Sequence, residues 1–218
     1  MNTIIAHLRE DYKRAEFTEA DAFADPLQQF QKWFDEALKA EIKEPNAMVL
    51  ATSNAENNMP HARVVLLKDV KPEGFTFFTN YQSHKGRELA ENPQAALCFN
   101  WLDLERQIRV EGVVEKIPTS ESDAYFAIRP YKSRIGAMAS PQSQKIPNRD
   151  YLEMRNEQFQ IIYPENSEVP RPEHWGGYIL KPVLIEFWQG RRSRLHDRLV
   201  YTRSGTDSND WQRVRLAP

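Results

Sequence analysis

The sequence predicts a mainly β protein, an antiparallel barrel or strongly curved sheet with helices inserted between the strands. Short apolar runs follow one another closely along a chain of 218 residues, and such runs are typical of strands. The links between consecutive runs are too short for the crossovers that parallel strands need, so neighbouring strands should be antiparallel. In residues 106–117, Ile108 and Val110 alternate with Gln107 and Arg109, which indicates a strand with one buried face.

Nine segments are strand candidates because they are rich in β-branched, aliphatic or aromatic residues and bounded by turn residues. We expect six to eight antiparallel strands from them. A Lys-Pro-Glu-Gly turn at residues 71–74 should join two of them as a hairpin. The candidates are residues 47–52, 61–68, 75–79, 95–101, 106–117, 177–181, 184–189, 194–202 and 211–216.

Helices are predicted between these strands. The first begins with Asp25 as N-cap and Pro26 at its first position, and it should end at Pro45. The other predicted helices are residues 83–92, 119–129 with hydroxyl caps, 133–139 and 148–163. The last should turn four apolar side chains inward: Tyr151, Met154, Phe159 and Ile162.

Composition narrows the class of protein. Lys and Arg number 29 against 31 Asp and Glu, a net charge of -2, which argues against a protein that coats nucleic acid by charge alone. The single cysteine, Cys98, excludes an internal disulfide and a multi-cysteine zinc site. There is no apolar run near the roughly 20 residues that span a bilayer and no secretory signal pattern at the start. We therefore expect a cytoplasmic protein without nucleic-acid or membrane partners.

Several common catalytic motifs are missing from the sequence. It contains no GxGxxG after a strand, no GxxxxGK[ST], no HExxH and no GxSxG, which argues against the corresponding dinucleotide, nucleoside triphosphate, zinc hydrolase and serine hydrolase sites. The five histidines are scattered, so no metal site is expected.

Two clusters of hydroxyl and basic residues suit anions. Thr79, Ser83, His84 and Lys85 are predicted where a strand ends and a helix begins, a place that favours phosphate; the alternative for Ser83 is a plain N-cap. In the second cluster, Tyr125 and Arg129 share a helix face and Ser133 follows just beyond. Those three groups would suit a phosphate monoester, whereas the alternative is an exposed Arg beside a half-buried Tyr.

The C-terminal region contains an unusual cationic segment. Residues 190–218 have seven Arg, no Lys and three Asp. If residues 194–202 form a strand, Arg194, His196 and Arg198 point to one side and Asp197 to the other. Such a row is costly unless an anion or an electron-rich ring lies opposite. The alternative is a solvated polar face.

These segments together resemble the pyridoxine/pyridoxamine 5′-phosphate oxidase family over nearly the whole chain. Any one motif would be weak, but their combination in order is specific. The matching segments are IAHLREDY, RVVLLK at 63–68, FTN at 78–80, ERQIRVEG at 105–112, YFAIRPYKSRIGAMASPQS at 125–143, WGGY at 175–178, IEFWQG at 185–190, RLHDR at 194–198 and RLAP at 215–218.

The resemblance implies a homodimeric split β-barrel that binds FMN at the subunit interface. It implies an N-terminal lid at residues 1–24 and a single FMN-binding domain at residues 25–218. One departure is His84, where the family often has Arg, and it could make cofactor affinity pH-dependent. The implied cofactor contacts, some from the partner subunit, are Arg63, Val64, Val65, Leu66, Leu67, Lys68, Phe78, Thr79, His84, Lys85, Gln107, Gln142, Ser143, Trp188 and Arg198.

The implied reaction is oxidation of pyridoxine or pyridoxamine 5′-phosphate to pyridoxal 5′-phosphate, with O2 as acceptor and hydrogen peroxide as product. Arg194 and His196 are the implied catalytic residues. The implied substrate contacts are Arg9, Tyr12, Lys68, Tyr125, Arg129, Ser133, Arg194 and His196. Two alternatives stay open: an FMN-binding split barrel without this oxidase activity, and a non-enzymatic barrel that binds nucleic acid or protein through its Arg-rich C-terminal strands.

Overall fold

The computed structural model describes His7 and residues 11–218, and in these ranges the chain forms nine strands and five α-helices. The helices are α1 (Pro26–Lys39), α2 (His84–Glu91), α3 (Thr119–Ile128), α4 (Tyr131–Ala139) and α5 (Arg149–Ile162). The strands are β1 (Ala47–Ser53), β2 (Pro60–Leu66), β3 (Asp69–Lys71), β4 (Gly74–Asn80), β5 (Gln94–Trp101), β6 (Arg106–Lys116), β7 (Trp175–Gln189), β8 (Asp197–Thr202) and β9 (Gln212–Arg215).

All strands belong to one antiparallel sheet that curls into the predicted barrel. Its main order is β2-β1-β5-β6-β7-β4-β3, and β8 and β9 extend it from β7. The two ends of this path, β2 and β3, are consecutive in the chain and are joined only by Leu67 and Lys68. This short link holds the ends together, and the Lys68 N–H donates to the carbonyl of Thr76 on β4 at 2.9 Å. The fold class is therefore confirmed, with one strand more than the expected six to eight.

Helix α1 closes the core of the barrel. The carboxylate of Asp25 accepts from the N–H of Leu27 at 2.9 Å, as predicted for an N-cap. Phe30 is fully buried, and its ring centroid lies 4.9 Å from that of Phe75 and 5.1 Å from that of Phe99. Burying one such ring stabilises the fold by roughly 1.5–3 kcal/mol, so this aromatic cluster fixes the helix on the sheet.

The predicted end of α1 at Pro45 is wrong, because the helix stops at Lys39. Glu41 adopts a left-handed conformation with φ of 55°. Its N–H donates to the carbonyl of Leu38, and the N–H of Ile42 donates to that of Ala37. This pair of hydrogen bonds is the Schellman motif, which satisfies the last carbonyls of a helix and turns the chain away.

Residues 177–181 and 184–189, predicted as two strands, form parts of one strand, β7. The sequence suggested a break at Pro182 because proline cannot donate to a ladder. The structure accommodates it opposite Gly112, where the register with β6 shifts. A Cβ at Gly112 would lie 2.1 Å from the carbonyl oxygen of Lys181, so the close approach at this irregularity needs glycine.

The strand predicted from residue 194 starts three residues late, at Asp197. Residues Arg192–Arg194 form a 3-10 turn, in which Ser193 and Arg194 have φ of 56° and 62°. A left-handed pair of residues cannot continue a pleated strand. The predicted one-sided row of Arg194, His196 and Arg198 therefore does not form.

Two details of the helices also differ from expectation. Helix α3 has Pro118 as its N-cap and no side-chain cap, because the N–H groups of Glu121 and Ser122 donate to the carbonyl of Pro118 instead. In α5, Met154 and Ile162 are exposed rather than inward. Phe159 of α5 does pack on a second cluster of buried apolar residues.

The residues before α1 pack against the barrel. Phe17 is 3% exposed, and its ring lies 4.9 Å from that of Trp33. Arg215 donates to both carboxylate oxygens of Glu19 at 2.8 and 2.9 Å. None of the helices in the described part of the chain has the length and apolar character needed to cross a membrane.

Candidate functional site

A cavity of about 440 Å³ opens between the sheet edge and helices α2, α3 and α4, within the range of small-molecule sites. It brings together eleven of the predicted site residues from five separate stretches of sequence. They are Val64, Val65, Leu66, Lys68, Phe78, Thr79, Lys85, Tyr125, Arg129, Ser133 and Gln142. Pro130 and Trp175 complete the lining.

Three aromatic rings form one wall of the cavity. Phe78 and Tyr125 stack at 4.0 Å between centroids, and Phe78 and Trp175 stack at 5.4 Å. Phe78 on β4 pairs with Gly177 on β7, where a Cβ would lie 2.8 Å from the Phe78 ring. Glycine at this position therefore makes room for the ring. Sequence reasoning did not assign Trp175 to the site, although the Trp-Gly-Gly motif was a usable signal.

The cavity lining includes a buried ammonium group. Lys85, in the first turn of α2, is 8% exposed, and its Nζ donates to the hydroxyls of Thr79 at 3.3 Å and Ser83 at 3.5 Å. Ser83 also caps the helix, accepting from the N–H of Gly86 at 3.3 Å. Burial, and to a lesser extent the charge of Arg63, lower the pKa of Lys85. Among the described residues, no carboxylate forms an ion pair with Lys85, and the nearby Glu88 pairs with Arg63 instead, so the surroundings of Lys85 suit an anionic ligand.

The guanidinium of Arg129, directly after α3, also lines the cavity. It sits 4.6 Å above the ring of Trp175, and burial lowers its pKa. Its Nη1 is buried without a hydrogen-bond partner among the described residues. A buried donor without a partner costs about 1–3 kcal/mol, and an anion placed between Arg129 and Ser133 would remove that cost.

Arg63 and His84 do not line the cavity. Arg63 donates to the carbonyl of Leu50 at 3.2 Å and to the hydroxyl of Thr52, and it pairs with Glu88 at 3.3 Å. The Nε2 of His84 lies 3.5 Å from a Glu88 oxygen. Glu88 is 2% exposed and was not singled out from the sequence, where a Glu in a short helix looks like a surface residue.

Two further predicted cofactor contacts lie apart from the cavity lining. Leu67 is buried in the barrel core, 6% exposed. Ser143 is exposed and has φ of 68°, in the turn that follows α4.

A second group of predicted residues lies on β6, β7 and β8. Gln107 pairs with Trp188, and Trp188 pairs with Arg198, so the three form a row across adjacent strands. Arg198 also pairs with the buried Glu186, from Nε to Oε1 at 2.8 Å. The sequence indicated that the cationic residues near the C-terminus need an anion opposite them. For Arg198, that anion is Glu186 within the sheet.

His196 lies beside this row. Its ring centroid is 4.5 Å from that of Trp188 and 5.8 Å from that of Tyr12. Its Nδ1 accepts the N–H of Arg191 at 3.1 Å, so a neutral ring has its proton on Nε2. Burial and then the charge of Arg194 lower the pKa of His196, which favours the neutral form of the ring.

Arg194 and Arg9 are the remaining predicted residues, and Asp197 follows Arg194 closely in the sequence. Arg194 is exposed in the turn before β8. Asp197 accepts from Arg191 at 3.2 Å and from Arg215 at 2.7 Å. Its carboxylate therefore pairs with two arginines that are not members of the predicted row of Arg194, His196 and Arg198. Arg9 lies outside the described residues. We refer below to Gln107, Trp188, Arg194, His196 and Arg198 as the β6–β8 group.

Two family models match the chain. The model described as pyridoxamine 5′-phosphate oxidase matches residues 34–163. The model described as the pyridoxine 5′-phosphate oxidase C-terminal dimerisation region matches residues 175–218. Between them they contain every residue of the cavity lining and of the β6–β8 group.

Curated relatives match over almost the whole chain. A pyridoxine/pyridoxamine 5′-phosphate oxidase of Cupriavidus metallidurans is 56% identical over 216 residues, which is 99% of this chain and 100% of the relative. One from Thermosynechococcus vestitus is 57% identical with the same coverage.

Solved structures share the fold. The crystal structure of PhzG from Burkholderia lata, in complex with tetrahydrophenazine-1-carboxylic acid, has a TM-score of 0.86 and 31% identity, covering 94% of this chain and 98% of PhzG. A pyridoxamine 5′-phosphate oxidase-related, FMN-binding protein from Nostoc punctiforme has a TM-score of 0.70 at 16% identity, covering 90% and 100% of the two chains. The second likeness supports the fold alone.

Proposed function

The chain belongs to the pyridoxamine 5′-phosphate oxidase family and is an oxidase of this kind, and from that premise we propose its reaction in detail. Pyridoxine 5′-phosphate and O2 give pyridoxal 5′-phosphate and hydrogen peroxide. Pyridoxamine 5′-phosphate, O2 and water give the same two products and ammonia. FMN is the proposed resident cofactor. When bound, it would supply the two-electron redox chemistry that couples oxidation of the substrate carbon to reduction of O2.

The residues of the cavity fit FMN on two counts. The buried Lys85, bonded only to hydroxyls of Thr79 and Ser83 among the described residues, suits a phosphate at the start of α2. The strand residues Val64, Val65 and Leu66 offer an apolar edge beside it, which suits a flat ring system. The cofactor contacts predicted outside the cavity lining remain part of this proposal.

The substrate phosphate would bind beside Arg129. Lys68, Tyr125, Arg129 and Ser133 all line the cavity, and together they offer two cations and two hydroxyls. The single observation that carries the proposal is the Arg129 Nη1, which is buried without a partner. A clamp on the phosphate would supply remote binding energy and fix the reacting carbon against the flavin.

The β6–β8 group does not line the cavity of its own chain. Four of its members, Trp188, Arg194, His196 and Arg198, fall in the stretch matched by the dimerisation region. We therefore place this group over the cavity of the partner subunit in a homodimer. There Arg194 would cover and orient the substrate ring, and the Nε2–H of His196 would make a polar contact and handle a proton.

Two further predictions belong to this proposal. Residues 1–24 would act as a lid, with support from Tyr12, whose ring lies 5.8 Å from that of His196. The enzyme would work in the cytoplasm.

The first experiment is direct. We expect the purified protein to show a flavin absorption spectrum and to release one hydrogen peroxide per pyridoxal 5′-phosphate when pyridoxine 5′-phosphate and O2 are supplied. A flavin spectrum without peroxide would favour the FMN-binding split barrel that lacks this activity. A colourless protein that does not take up FMN would overturn the cofactor assignment.

The second experiment tests the shared site. Arg129→Ala and His196→Ala subunits, each poorly active alone, are unfolded, mixed in equal amounts and refolded with FMN. If each site combines a cavity from one subunit with a β6–β8 group from the other, half of the dimers are hybrids with one intact site. Activity should then recover to about one quarter of the wild-type value. If each site belongs to one chain, mixing restores nothing.

A further inference from the structure

The guanidinium of Arg129 rests on the face of Trp175. Its Cζ lies 4.6 Å from the centre of the Trp175 ring, and Trp175 is 6% exposed. Arg129 follows α3, whereas Trp175 is the first residue of β7. We propose that Trp175 is a positioning residue for the substrate phosphate, because it holds the guanidinium of Arg129 in its binding orientation before the substrate arrives. This inference rests on the phosphate clamp proposed above and adds a residue that acts through Arg129.

Arg129 lacks the carboxylate partner that orients other arginines of this chain. Arg198 is held by Glu186 at 2.8 Å, and Arg171 donates to Asp123 at 2.6 Å. In the part of the chain that the structure describes, no carboxylate pairs with Arg129, and its Nη1 is buried without a hydrogen-bond partner. The aromatic face beneath it is therefore the contact that sets the plane of this guanidinium.

An aromatic ring suits this task better than a carboxylate would. A carboxylate beside Arg129 would offset its charge, occupy its N–H groups and repel a phosphate. The face of an indole attracts a guanidinium through the ring quadrupole and leaves the N–H groups at the edge of the planar fork free. Trp175 thus fixes the plane of Arg129 while its charge and its donors stay available for an anionic ligand.

The backbone of Trp175 is tied to the helix that precedes Arg129. Nη1 of Arg171 donates to the carbonyl of Trp175 at 2.5 Å, and Nε of the same side chain donates to Asp123 on α3 at 2.6 Å. The N–H of Trp175 donates to the carbonyl of Pro172 at 3.0 Å. The start of β7 and helix α3 are thereby linked, so the ring and the guanidinium keep a fixed relation.

Neighbouring rings fix the plane of the indole itself. Phe126 meets it edge to face at 5.1 Å between centroids, and Phe78 stacks on it at 5.4 Å. The plane of Tyr125, another member of the proposed clamp, lies within 8° of the indole plane. A support that is already ordered lowers the entropy cost of binding, so Trp175 should contribute to affinity although the contact is with Arg129.

The test measures binding of 4-deoxypyridoxine 5′-phosphate to the FMN-loaded protein by isothermal titration calorimetry. This probe lacks the oxygen at C4′, so it binds without being oxidised. The variants are Trp175→Leu, Trp175→Phe, Arg129→Ala and the double variant Trp175→Leu with Arg129→Ala. Trp211→Leu is the matched control, because Arg203 lies 4.7 Å over the ring of Trp211, outside the cavity lining. Flavin absorbance and circular dichroism verify that each variant is folded and loaded.

We expect Trp175→Leu to weaken binding of the probe about 5- to 30-fold, the range of a cation–π contact that is shielded from water. Trp175→Phe should recover part of that affinity because it keeps an aromatic face, and Trp211→Leu should bind like the wild type. In the Arg129→Ala background, Trp175→Leu should change the affinity less than twofold, because the group that it positions is absent.

The proposal is overturned if Trp175→Leu weakens binding by the same factor with and without Arg129, since the ring would then act directly or through general packing. Unchanged affinity in both Trp175 variants would also overturn it. If Trp175→Leu does not fold, the same comparison is made with Trp175→Phe, whose smaller loss should again require Arg129. If the wild type binds 4-deoxypyridoxine as tightly as the phosphorylated probe, the phosphate site of the proposed function is itself wrong, and the role of Trp175 falls with it.

Discussion

The guanidinium of Arg198 forms two hydrogen bonds with the carboxylate of Glu186, from Nε to Oε1 at 2.8 Å and from Nη2 to Oε2 at 3.2 Å. Arg109 on β6 donates to the same carboxylate at 2.7 Å. The Glu186 side chain is 4% exposed. One buried acid on β7 therefore holds an arginine from each neighbouring strand and fixes the orientation of Arg198 in the β6–β8 group.

Glu186→Gln should destabilise the fold, because it removes a buried charge on which two guanidiniums depend. Breaking a fully buried pair costs 3–5 kcal/mol; since both Arg residues are partly exposed, we expect a loss of about 1–3 kcal/mol. Urea unfolding measures it. Glu111→Gln is the control, because Glu111 meets Arg109 at 3.5 Å on an exposed face and should cost about 0.5 kcal/mol or less. Equal losses in the two variants would contradict the assignment.

Arg129→Ala should raise the KM for pyridoxine 5′-phosphate about 10- to 100-fold and change kcat much less. The reason is that a hydrogen bond to a charged group contributes about 1.5–3 kcal/mol, and phosphate lies away from the reacting carbon. Arg129→Lys should recover only part of the affinity, because it lacks the planar fork. Arg149→Ala, on the exposed face of α5, is the control. A fall in kcat at constant KM would show that Arg129 acts elsewhere.

Lys85→Met should have opposite effects on cofactor binding and on apoprotein stability. Loss of the buried ammonium should weaken FMN binding at least tenfold, because a charge-assisted contact with phosphate is lost. The apoprotein should become more stable by about 1 kcal/mol, since a buried charge without a carboxylate partner is replaced by an apolar chain. Flavin fluorescence titration and urea unfolding measure the two effects. If the apoprotein loses stability and FMN affinity is unchanged, Lys85 is a structural residue.

The pH profile should reveal the interaction between Arg194 and His196. Burial and the Arg194 charge lower the pKa of His196 from its ordinary value of 6.5, so the neutral ring persists to lower pH than that of a free histidine. Activity that needs the neutral ring is then lost only as the pH falls below 6.5. Arg194→Ala removes one lowering charge, and the acidic limb of kcat/KM should move to higher pH. Arg192→Ala, in the same exposed turn, should leave the limb in place. A shift to lower pH in Arg194→Ala would refute this reasoning.

Phe17→Ala tests whether the segment before α1 belongs to the folded barrel. The ring of Phe17 packs 4.9 Å from that of Trp33 and 6.2 Å from that of Phe187, so its removal should cost about 3–5 kcal/mol. Phe23→Ala is the control, because Phe23 is 44% exposed. If both changes cost less than about 1 kcal/mol, Phe17 does not anchor residues 11–24 to the barrel.

Local patterns predicted much of the fold. The alternation of Ile108 and Val110 with polar neighbours gave β6 to within a residue, and Asp25 with Pro26 gave the start of α1. Features that depend on distant residues were not predictable in this way. The continuity of β7 through Pro182 depends on a register shift opposite Gly112 on another strand, and no pattern near residue 182 contains that information.

The candidate site also combines features that local motifs predicted with features that depend on distant residues. Motif resemblance selected residues such as Lys85, Tyr125 and Arg129, and the chain brings them to one cavity. The resemblance could not place Arg194, because its left-handed backbone is a property of this turn. Nor could it show that His84 and His61 both approach Glu88, since a strand and a helix bring these three together.

The continuity of β7 also has a genetic consequence. Its first residue, Trp175, lines the cavity, and Trp188 near its other end belongs to the β6–β8 group. If each catalytic centre draws on both subunits, a lesion confined to the cavity spares one centre of a mixed pair. A lesion that distorts β7 disables both. In a cell that carries one sound and one faulty allele, β7 alleles should therefore act dominantly, and cavity alleles should behave as nearly recessive.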